Sequence, residues 1–433
     1  MILAALAAMM MLDGGVIHLA PGETHLKAPI EVAKGRKSAT IRGDPHGSVL
    51  IMDVGFKGRA AIVAEGVSDL TISGFEIRGN RKELKSDWYL PPGDTPFADY
   101  YNDNGIVVRA SSHVIISDVR FTSIRAFPVL IHASSDIALG HLKIEDCGTL
   151  TRAGRNNTTG GILLEEGASR FSIENSTIRN VTGTAIWTHS YGRSPRQSDG
   201  IIRNNEISRI GRDAIQIGHA TRIRVEDNRG AELGFPIEYV DVEHQGFAVA
   251  IDTAGNVDHA LYTNNNFTDV NGECIDLDGF HDGAVTRNSC VNLKPAESYP
   301  ASHYGMAFAN HNPAMSSVGV TIADNLLQGF AFGALFLAGS SNVVERNRFL
   351  DLNRAHCGAT PVNPRCNYAL EQPELLRSGI YLAGNGGRPT LTRSNVIRSN
   401  VITGFNIEKH CIAAGPGVHL SENVISGNSC RDR

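Results

Sequence analysis

The chain has 433 residues, few aromatic side chains and a formal net charge of -5. This near balance of charge argues against nucleic acid or a strongly anionic surface as the main partner. The length suits either several globular domains or one repeat architecture that grows by stacking, and the interior contains no stretch of linker composition.

The first segment, Met1 to Leu12, is apolar. It lacks a basic leading stretch and a small-residue cleavage site, and it is too short to cross a bilayer, so we expect no membrane span here. Two interpretations stay open: a remnant of an export signal, or an apolar cap on the first open repeat. We assign residues 1–13 to this segment and residues 14–433 to one repeat domain.

Six-residue segments of alternating polarity recur along the rest of the chain. Their second and fourth residues are almost always apolar, and a period of two is typical of a β-strand with that side buried. The segments are 61–66, 105–110, 128–133, 161–166, 185–190, 214–219, 248–253, 274–279, 305–310, 334–339, 379–384 and 411–416. A second strand follows each one. The pattern predicts an all-β solenoid of about twelve stacked turns.

A recurring asparagine marks the turn after the second strand of most repeats. The positions are Asn205, Asn228, Asn265, Asn288, Asn325, Asn347, Asn400 and Asn423. In a coil whose strands stack about 4.8 Å apart, each amide would lie over the next and hydrogen-bond to it. We therefore predict a structural asparagine ladder.

Extra residues accumulate before the first strand of a turn. The long connections are 81–103, 149–160, 235–246, 293–304 and 354–378, and a shorter insertion, 191–199, leaves such a strand. Insertions on one face of a repeat protein commonly mark its binding face. Several carry aromatic residues, which suit the apolar faces of sugar rings. We expect these loops to wall a groove on the first parallel sheet.

Ionisable residues concentrate at the outward positions of the middle strands. The fifth residues of successive strands include Arg109, His132, Glu165, His189, Asp252 and Asp278, and the third residues include Trp187, Gln216 and Asp276. This alignment places Asp252 directly above Asp278. Stacked like charges destabilise a sheet, so their retention indicates a function.

The three aspartates are the main catalytic candidates. Asp252, Asp276 and Asp278 would be separated by roughly 5 to 8 Å, the range of the acid pairs of glycosidases. Crowding would raise one pKa and supply a protonated general acid. The alternatives are a Ca²⁺ ion held by the three carboxylates and a merely solvated acidic cluster.

Further site candidates come from neighbouring strands and loops. Glu165 and His189 lie on adjacent turns, where Glu165 could orient a catalytic histidine. Trp187 is either a stacking platform for a sugar or a residue buried under the 191–199 loop. The remaining substrate-binding candidates are Arg109, His132, Gln216, His219, Glu243, His303 and Asn310.

Seven cysteines leave at least one unpaired. Cys357 with Cys366, and Cys411 with Cys430, are plausible disulfides if the protein is exported to an oxidising compartment. Cys290 occupies a core position and is expected to be a small hydrophobic residue. We therefore expect a secreted or periplasmic protein of bacterial type.

The repeat from Gly14 to the C-terminus resembles the right-handed parallel β-helix proteins of the pectate-lyase-like superfamily. The resemblance implies a single-stranded, right-handed parallel β-helix. It leaves the activity open, because the superfamily contains lyases, glycosidases, esterases, epimerases and phage adhesins.

The acidic strands are similar in arrangement to those of polygalacturonase-type glycosidases. In that resemblance Asp252, Asp276, Asp278 and His303 take the places of the catalytic aspartates and histidine. The chain lacks the Asn-Thr-Asp, adjacent Asp-Asp, Gly-His-Gly and Arg-Ile-Lys motifs of those enzymes.

A lyase acting on uronates needs a cation or basic residues to neutralise the substrate carboxylate, and after Lys143 the chain has only Lys294 and Lys409. We therefore expect a glycoside hydrolase that acts on a neutral or weakly charged poly- or oligosaccharide and needs no cofactor. The alternatives are a metal-assisted lyase or epimerase on uronate polymers and a non-catalytic glycan-binding adhesin. Neither the sugar nor the oligomeric state follows from the sequence.

Overall fold

The structure is a computed structural model that describes residues 10–13, 15–241, 247–308, 315–369, 371–388 and 390–433. The chain divides into two compact units, residues 1–212 with 238–246 and residues 213–237 with 247–433. We call them unit 1 and unit 2. Each is built from short β-strands that pair in parallel with strands one turn away, which confirms the predicted β-helix.

The strands of unit 1 pair in parallel, apart from an antiparallel pair formed by Met10–Asp13 and Val16–Leu19. The strands of this unit are Met10–Asp13, Val16–Leu19, Gly22–Leu26, Ile30–Val32, Ser38–Arg42, Ser48–Met52, Ala60–Glu65, Asp69–Arg78, Asn104–Arg109, Ser112–Thr122, Val129–His132, Ser135–Gly140, Lys143–Cys147, Gly160–Glu165, Ser169–Glu174, Thr177–Val181, Thr184–His189, Gln197–Arg203 and Glu206–Ile210.

The strands of unit 2 follow the same pattern and are mostly shorter. They are Ile215–Glu226, Arg229–Leu233, Ala248–Asp258, Leu261–Thr263, Asn266–Val270, Gly272–Asp276, Asp278–His281, Ala284–Thr286, Ser289–Val291, Met306–Ala307, Thr321–Ala323, Leu326–Gln328, Leu335–Leu337, Val343–Glu345, Arg348–Leu352, Ile380–Leu382, Val396–Arg398, Val401–Gly404, Ile412–Ala414, Val424–Ser426 and Ser429–Asp432.

Helices are short and lie in the connections. The α-helices are Phe97–Tyr100 and Glu374–Arg377, and the 3-10 helices are Ile237–Tyr239, Ala296–Ser298, Pro364–Ala369 and Leu420–Glu422. None of the helices among the described residues has the length and the apolar run that crossing a bilayer requires.

Apolar side chains stack in columns inside each unit. In unit 1, Ile106 pairs with Val129 and Val129 with Ile162, and all three are fully buried. The same alternation in every rung makes a continuous apolar interior, with the intervening residues facing outward. Parallel pairing thus holds equivalent residues of successive rungs about 4.8 Å apart.

The asparagine ladder is present in unit 2. The side-chain oxygen of Asn288 accepts hydrogen bonds from the backbone and side-chain nitrogens of Asn265, at 3.1 and 2.9 Å. The series runs through Asn228, Asn265, Asn288, Asn325, Asn347 and Asn400 and ends at Asn428.

One assignment in the predicted ladder is wrong. Asn423 belongs to a second ladder, which Asn342, Asn395 and Asn423 form at another corner of the coil. The spacing of 23 residues between Asn400 and Asn423 resembled the ladder period only because the last repeats differ in length.

The residue before each ladder asparagine has a left-handed backbone. The φ angles of Asp227, Asn264, Arg287 and Asp324 lie at 57, 59, 56 and 60°. This conformation turns the chain sharply. Apart from glycine, Asn and Asp are the residues that adopt it most readily. The ladder amide then satisfies backbone groups that the turn leaves without a strand partner.

We predict that Asn288→Ala lowers the free energy of unfolding by about 2 to 4 kcal/mol, because it leaves buried donors and acceptors of its neighbours unsatisfied. Asn266→Ala, at an exposed strand position nearby, should change it by less than about 0.5 kcal/mol. Urea unfolding followed by circular dichroism measures both, and equal effects of the two variants would contradict a structural ladder.

Candidate active site

Two carboxylates of unit 2 stack on adjacent rungs. Ile251 pairs with Ile275, so the residues that follow them, Asp252 and Asp276, are neighbours across the two strands. Gln216 pairs with Asp252 on one side. The outward column therefore contains Gln216, Asp252 and Asp276.

The predicted stacking of Asp252 on Asp278 is wrong, because Asp278 pairs with Ala254. The error is a shift of two residues in the segment 248–253. Val249 and Ile251 form a more apolar pair than the true inward pair, Ile251 and Thr253. A shift of two also keeps every side chain on the same face of the strand. Asp276, rather than Asp278, is the rung partner of Asp252.

Burial and neighbouring charge act together on Asp276. Its pKa is raised well above the ordinary value, first by burial and then by the negative charges of Asp252, Glu273 and Asp278. The backbone N–H of Asp278 donates to Asp276 Oδ1 at 3.1 Å and offsets only part of this effect. Asp276 is thus the carboxyl of this cluster that the surroundings favour in its protonated form.

Asp252 has a different environment. Its exposed fraction is 7%, and Gln216 donates a hydrogen bond from Nε2 to its Oδ2. An amide donor favours the charged form of a carboxylate. Gln216, predicted as a substrate-binding residue, therefore supports the ionised state of the aspartate on the next rung.

A glutamate and a histidine form a pair beside the carboxylates. His303 Nδ1 lies 2.7 Å from Glu273 Oε1. The imidazole is stacked on Phe247, with ring centroids 5.5 Å apart and planes inclined by 20°. The ring centroid of Phe332 lies 5.1 Å from that of His303, with the two planes nearly perpendicular. These contacts fix the ring of the predicted binding residue His303, while the charge of Glu273 reaches Asp276.

Glu273 and Phe247 are missing from the sequence-based site. Glu273 immediately precedes the segment taken as a strand, and Phe247 is the last residue before another, so both fell outside the outward columns. The strand that carries Glu273 begins at Gly272, two residues before the alternating segment, whereas Phe247 directly precedes the strand Ala248–Asp258.

A disulfide joins Cys274, two residues before Asp276, to Cys290. The expectation that Cys290 is only a small core residue is therefore wrong. Both cysteines are fully buried, and the bond crosslinks the acidic strand to a later strand of the same turn. The predicted pairs Cys357–Cys366 and Cys411–Cys430 are confirmed, and Cys147 is the remaining, buried cysteine.

The connection 354–378 forms a wall next to His303. Its residues Cys357, Cys366 and Leu376 are buried against Tyr304 and Phe332. The Tyr304 hydroxyl donates to the carbonyl of Leu375. A long loop thus packs against the first sheet of unit 2, as the sequence predicts, and a disulfide closes it.

In unit 1 the predicted order of the outward column is confirmed. Arg109 pairs with His132, His132 with Glu165, and Glu165 with His189. Glu165 is completely buried. Its two carboxylate oxygens accept hydrogen bonds from the backbone nitrogens of Phe97 and Ala98, at 2.9 and 2.8 Å. Its Oε1 also lies 3.1 Å from Nδ1 of the His132 ring.

Glu165 therefore anchors the start of the short helix Phe97–Tyr100 to the sheet. A carboxylate satisfies backbone donors at a helix N-terminus and is favoured there by the helix dipole. A second anchor is the ion pair between Arg109 Nη1 and Asp99 Oδ1, which lie 2.6 Å apart. The predicted catalytic role of Glu165 does not fit this burial, and we leave it out of the catalytic set.

Trp187 is buried beneath the same connection. Its exposed fraction is 7%, and its ring centroid lies 5.1 Å from that of Phe97. The stacking platform predicted for sugar is therefore wrong, since the ring has no open face. The covering residue comes from the connection 81–103 rather than from 191–199. His189 packs against Phe97 and Trp187 and has Glu166 Oε1 4.0 Å from its Nδ1.

Three further predicted residues have separate placements. His219 is half-buried and has a left-handed backbone with φ of 46° in the strand Ile215–Glu226. Glu243 and Asn310 lie outside the described residues. Their predicted roles in binding substrate remain predictions.

In the part of the chain that the structure describes, ligand atoms of Glu165, Glu166 and His189 lie within 4.8 Å of one another. Both oxygens of Glu165 already accept backbone hydrogen bonds. These hydrogen bonds give Glu165 a structural role, the anchoring of the connection 81–103, which requires no metal ion. Ca²⁺ at Asp252, Asp276 and Asp278 stays a prediction.

We predict that Glu165→Gln lowers the free energy of unfolding by about 1 to 3 kcal/mol, because one backbone donor of the helix loses its acceptor. It should also speed proteolysis within residues 81–103. Asp99→Asn removes an exposed ion pair and should cost about 1 kcal/mol or less. Urea unfolding and limited proteolysis check this, and a Glu165→Gln protein as stable and resistant as the parent would refute the anchor.

The raised pKa of Asp276 predicts the sign of a pH dependence. The folded protein binds this proton more tightly than the unfolded chain, so stability falls as pH rises from the ordinary aspartate pKa of about 3.9 through the raised value. Asp276→Asn cannot ionise, so its melting temperature should exceed that of the parent by a margin that grows over this range.

Asp324→Asn is the matched control, since hydrogen bonding to Arg346 lowers the pKa of Asp324. Its stabilising contribution is present at neutral pH and is lost on acidification. The two variants should therefore show opposite trends in differential scanning calorimetry, and parallel trends would show that Asp276 ionises normally.

The chain matches the family described as right handed beta helix region over residues 60–230 and 247–431. No curated protein matches it. Solved structures with a similar fold include the surface adhesin PfbA of Streptococcus pneumoniae, 14% identical, with a TM-score of 0.57 over 79% of this chain and 84% of that one.

DFA-IIIase from Arthrobacter chlorophenolicus A6, crystallised in complex with GF2, is also 14% identical, with a TM-score of 0.55 over 98% of this chain and 93% of that one. The same enzyme without its lid, in complex with GF2, is 17% identical, with a TM-score of 0.57 over 81% and 89%. At these identities the likeness shows the fold alone. Because the family match covers most of the sequence, the chain belongs to the right-handed β-helix family.

Proposed function

We propose that the chain is a glycoside hydrolase whose acid and second carboxylate are Asp276 and Asp252. The observation that carries the proposal is the contrast between two carboxylates on adjacent rungs. Burial and three negative neighbours raise the pKa of Asp276, whereas Asp252 accepts a hydrogen bond from Gln216. Pairs of carboxyl groups whose environments separate their protonation states are the usual basis of acid and base roles in glycosidases.

The strand spacing favours a two-step reaction with retention. Adjacent rungs are about 4.8 Å apart, close to the roughly 5 to 5.5 Å between carboxyl groups of retaining enzymes. Asp252 attacks the anomeric carbon while Asp276 gives its proton to the glycosidic oxygen, and that carbon–oxygen bond breaks. Water then attacks the anomeric carbon of the ester formed on Asp252 and gives a proton to the Asp276 carboxylate. The bond from that carbon to the Asp252 oxygen breaks, which restores both groups.

The surroundings suit a saccharide of low charge. Asp252, Glu273, Asp276 and Asp278 form an acidic cluster, which repels a polyanion. Phe247, which is partly exposed on one side of the cluster, offers apolar surface of the kind that sugar faces contact. DFA-IIIase was crystallised with GF2 and with DFA-III, which supports a saccharide as the partner of a chain with this fold.

We also propose that the protein works outside the cytoplasm, secreted or periplasmic. The support is chemical: six of its seven cysteines form disulfides. Such bonds persist in oxidising compartments and are rare in the cytosol of mesophiles. One of these disulfides, Cys274–Cys290, crosslinks the strand that carries Asp276, so an oxidising compartment keeps that strand crosslinked.

A second candidate is glycan binding without catalysis. The observation that favours it is the similarity in fold to the adhesin PfbA. The two functions differ in what Asp276 does, because a lectin-like surface does not need a carboxyl kept protonated. Hydrolysis of a bound glycan separates them.

We predict that the parent protein cleaves at least one member of a panel of neutral poly- and oligosaccharides. Asp276→Asn and Asp252→Asn should each lower kcat about 10² to 10⁴-fold, the usual contribution of a positioned acid or base. Asp282→Asn, at a largely exposed carboxylate, should retain full activity. Reducing-end assays and anomer-resolved NMR of early products test this, and unchanged kcat in both site variants would overturn the assignment.

The same site predicts how activity responds to pH and to chelation. The general acid must be protonated, so kcat should fall as pH rises through the raised pKa of Asp276. The reaction as proposed uses carboxyl groups alone, so EDTA should leave the rate unchanged. Loss of turnover on EDTA treatment, restored by Ca²⁺, would instead favour the metal-assisted alternative.

A further inference from the structure

The outward column that contains the two proposed catalytic aspartates continues for four more rungs of unit 2, through Ala307, Phe336 and Tyr381 to Ala413. Asp276 pairs with Ala307, Ala307 with Phe336, and Phe336 with Tyr381. The floor thus changes from carboxylates to a small residue and then to two aromatic rings. Phe336 lies two rungs, about 10 Å, from Asp276.

The column is covered at Tyr381, the rung that follows Phe336. Tyr381 has an exposed fraction of 3%, and its hydroxyl donates to Gln372 Oε1 at 3.1 Å, in the connection that forms the wall. Phe336 itself remains partly exposed. Its ring lies 5.8 Å from that of Tyr381, with planes inclined by 25°. Phe336 is therefore the partly exposed residue of this column that lies next to the covered Tyr381.

An arginine from the following connection lies over this end. The guanidinium carbon of Arg388 is 5.2 Å from the centroid of Phe336, and Nη1 donates to the carbonyl of Gly384 at 2.6 Å. Arg388 is only partly exposed, and burial lowers its pKa. The residue thus reaches back across the sheet and is held in place by a ring and a backbone acceptor.

We propose that Phe336 and Arg388 form the closed end of the glycan groove and bind the terminal sugar unit of the substrate. The inference rests on the proposed hydrolase function. It adds the direction in which the substrate lies along the column and the number of sugar units on that side of the cleaved bond. Two rungs separate Asp276 from Phe336, a span comparable with two sugar units. The residue between them, Ala307, has only a methyl side chain and an exposed fraction of 6%.

The chemistry at this end suits a chain terminus. A guanidinium offers several N–H donors in one plane, which match the clustered oxygens of a terminal sugar. Phe336 adds apolar surface at the same place. An enzyme with such an end releases short fragments from one end of the chain instead of cutting within it.

The test uses end-labelled oligosaccharides of graded length from gluco-, xylo- and fructo-series, with a uronate series to detect a carboxylate at the terminus. Binding is measured by calorimetry on Asp276→Asn protein, and products of the parent enzyme are sized by mass spectrometry. We expect one fragment length, of one or two units, from every cleaved chain. Blocking the free end of that side should abolish binding.

Arg388→Ala in the Asp276→Asn background should weaken binding about 10 to 100-fold, the loss expected for hydrogen bonds to a charged group. In the active enzyme it should give fragments of mixed length. Arg388→Lys should fall between the parent and Arg388→Ala. Arg393→Ala, at an exposed arginine of the same connection, is the control and should match the parent in both assays.

The outcomes separate the two proposals. Mixed fragments from the parent, or unchanged affinity and fragment length in Arg388→Ala, overturn the closed end while hydrolysis stands. Binding that depends on Arg388 without any cleavage supports the closed end as a glycan site and overturns the hydrolase. Binding of none of the series overturns both.

Discussion

The site depends on one constraint, the parallel register that holds Asp252 and Asp276 on adjacent rungs. Parallel strands repeat about every 4.8 Å, so two carboxyl groups on adjacent rungs of one outward column lie close enough to repel each other. Their repulsion, together with burial, raises the pKa of Asp276. The same regularity that makes the interior stable therefore generates an unusual acid on the outside.

Such a pair lowers stability unless the surroundings fix it. Gln216 contributes an amide donor to Asp252, and the Cys274–Cys290 disulfide crosslinks the strand that carries Asp276. The Glu273–His303 pair is held by rings on two sides. Unit 1 uses its outward column differently, since Glu165 is buried under a helix that it anchors. One repeat thus carries an acidic site in one unit and a covered sheet in the other.

The fold could be predicted because its signal repeats. Apolar residues at every second position and a turn asparagine in most repeats define strands, faces and ladder, and errors in one repeat do not affect the others. Within unit 2 the predicted ladder failed at Asn423, where the repeat length changes. The site was harder, since its identity depends on register within a single strand. In 248–253 the wrong register, with Val249 and Ile251 inward, is more apolar than the true one, with Ile251 and Thr253 inward, and the two differ by a shift that preserves the face.

Burial by loops could not be derived from the strands. Trp187 occupies an outward position, and nothing in its own segment shows that Phe97, 90 residues earlier in the sequence, covers it. Glu273 and Phe247 precede the alternating segments and carry no periodic signal. Cys290 fits the apolar pattern whether or not it is bonded. These features depend on contacts between connections, which composition and spacing do not encode.

The central claim is that Asp276 keeps its proton where ordinary aspartates have lost theirs. Carbon-13 NMR of protein labelled at the aspartate side-chain carboxyl carbon, with the Asp276→Asn spectrum for assignment, follows this single group through a titration. The account predicts a midpoint well above the ordinary value of about 3.9 and a lower midpoint in Asp252→Asn protein. A midpoint near the ordinary value, unchanged when Asp252 is replaced, would contradict it.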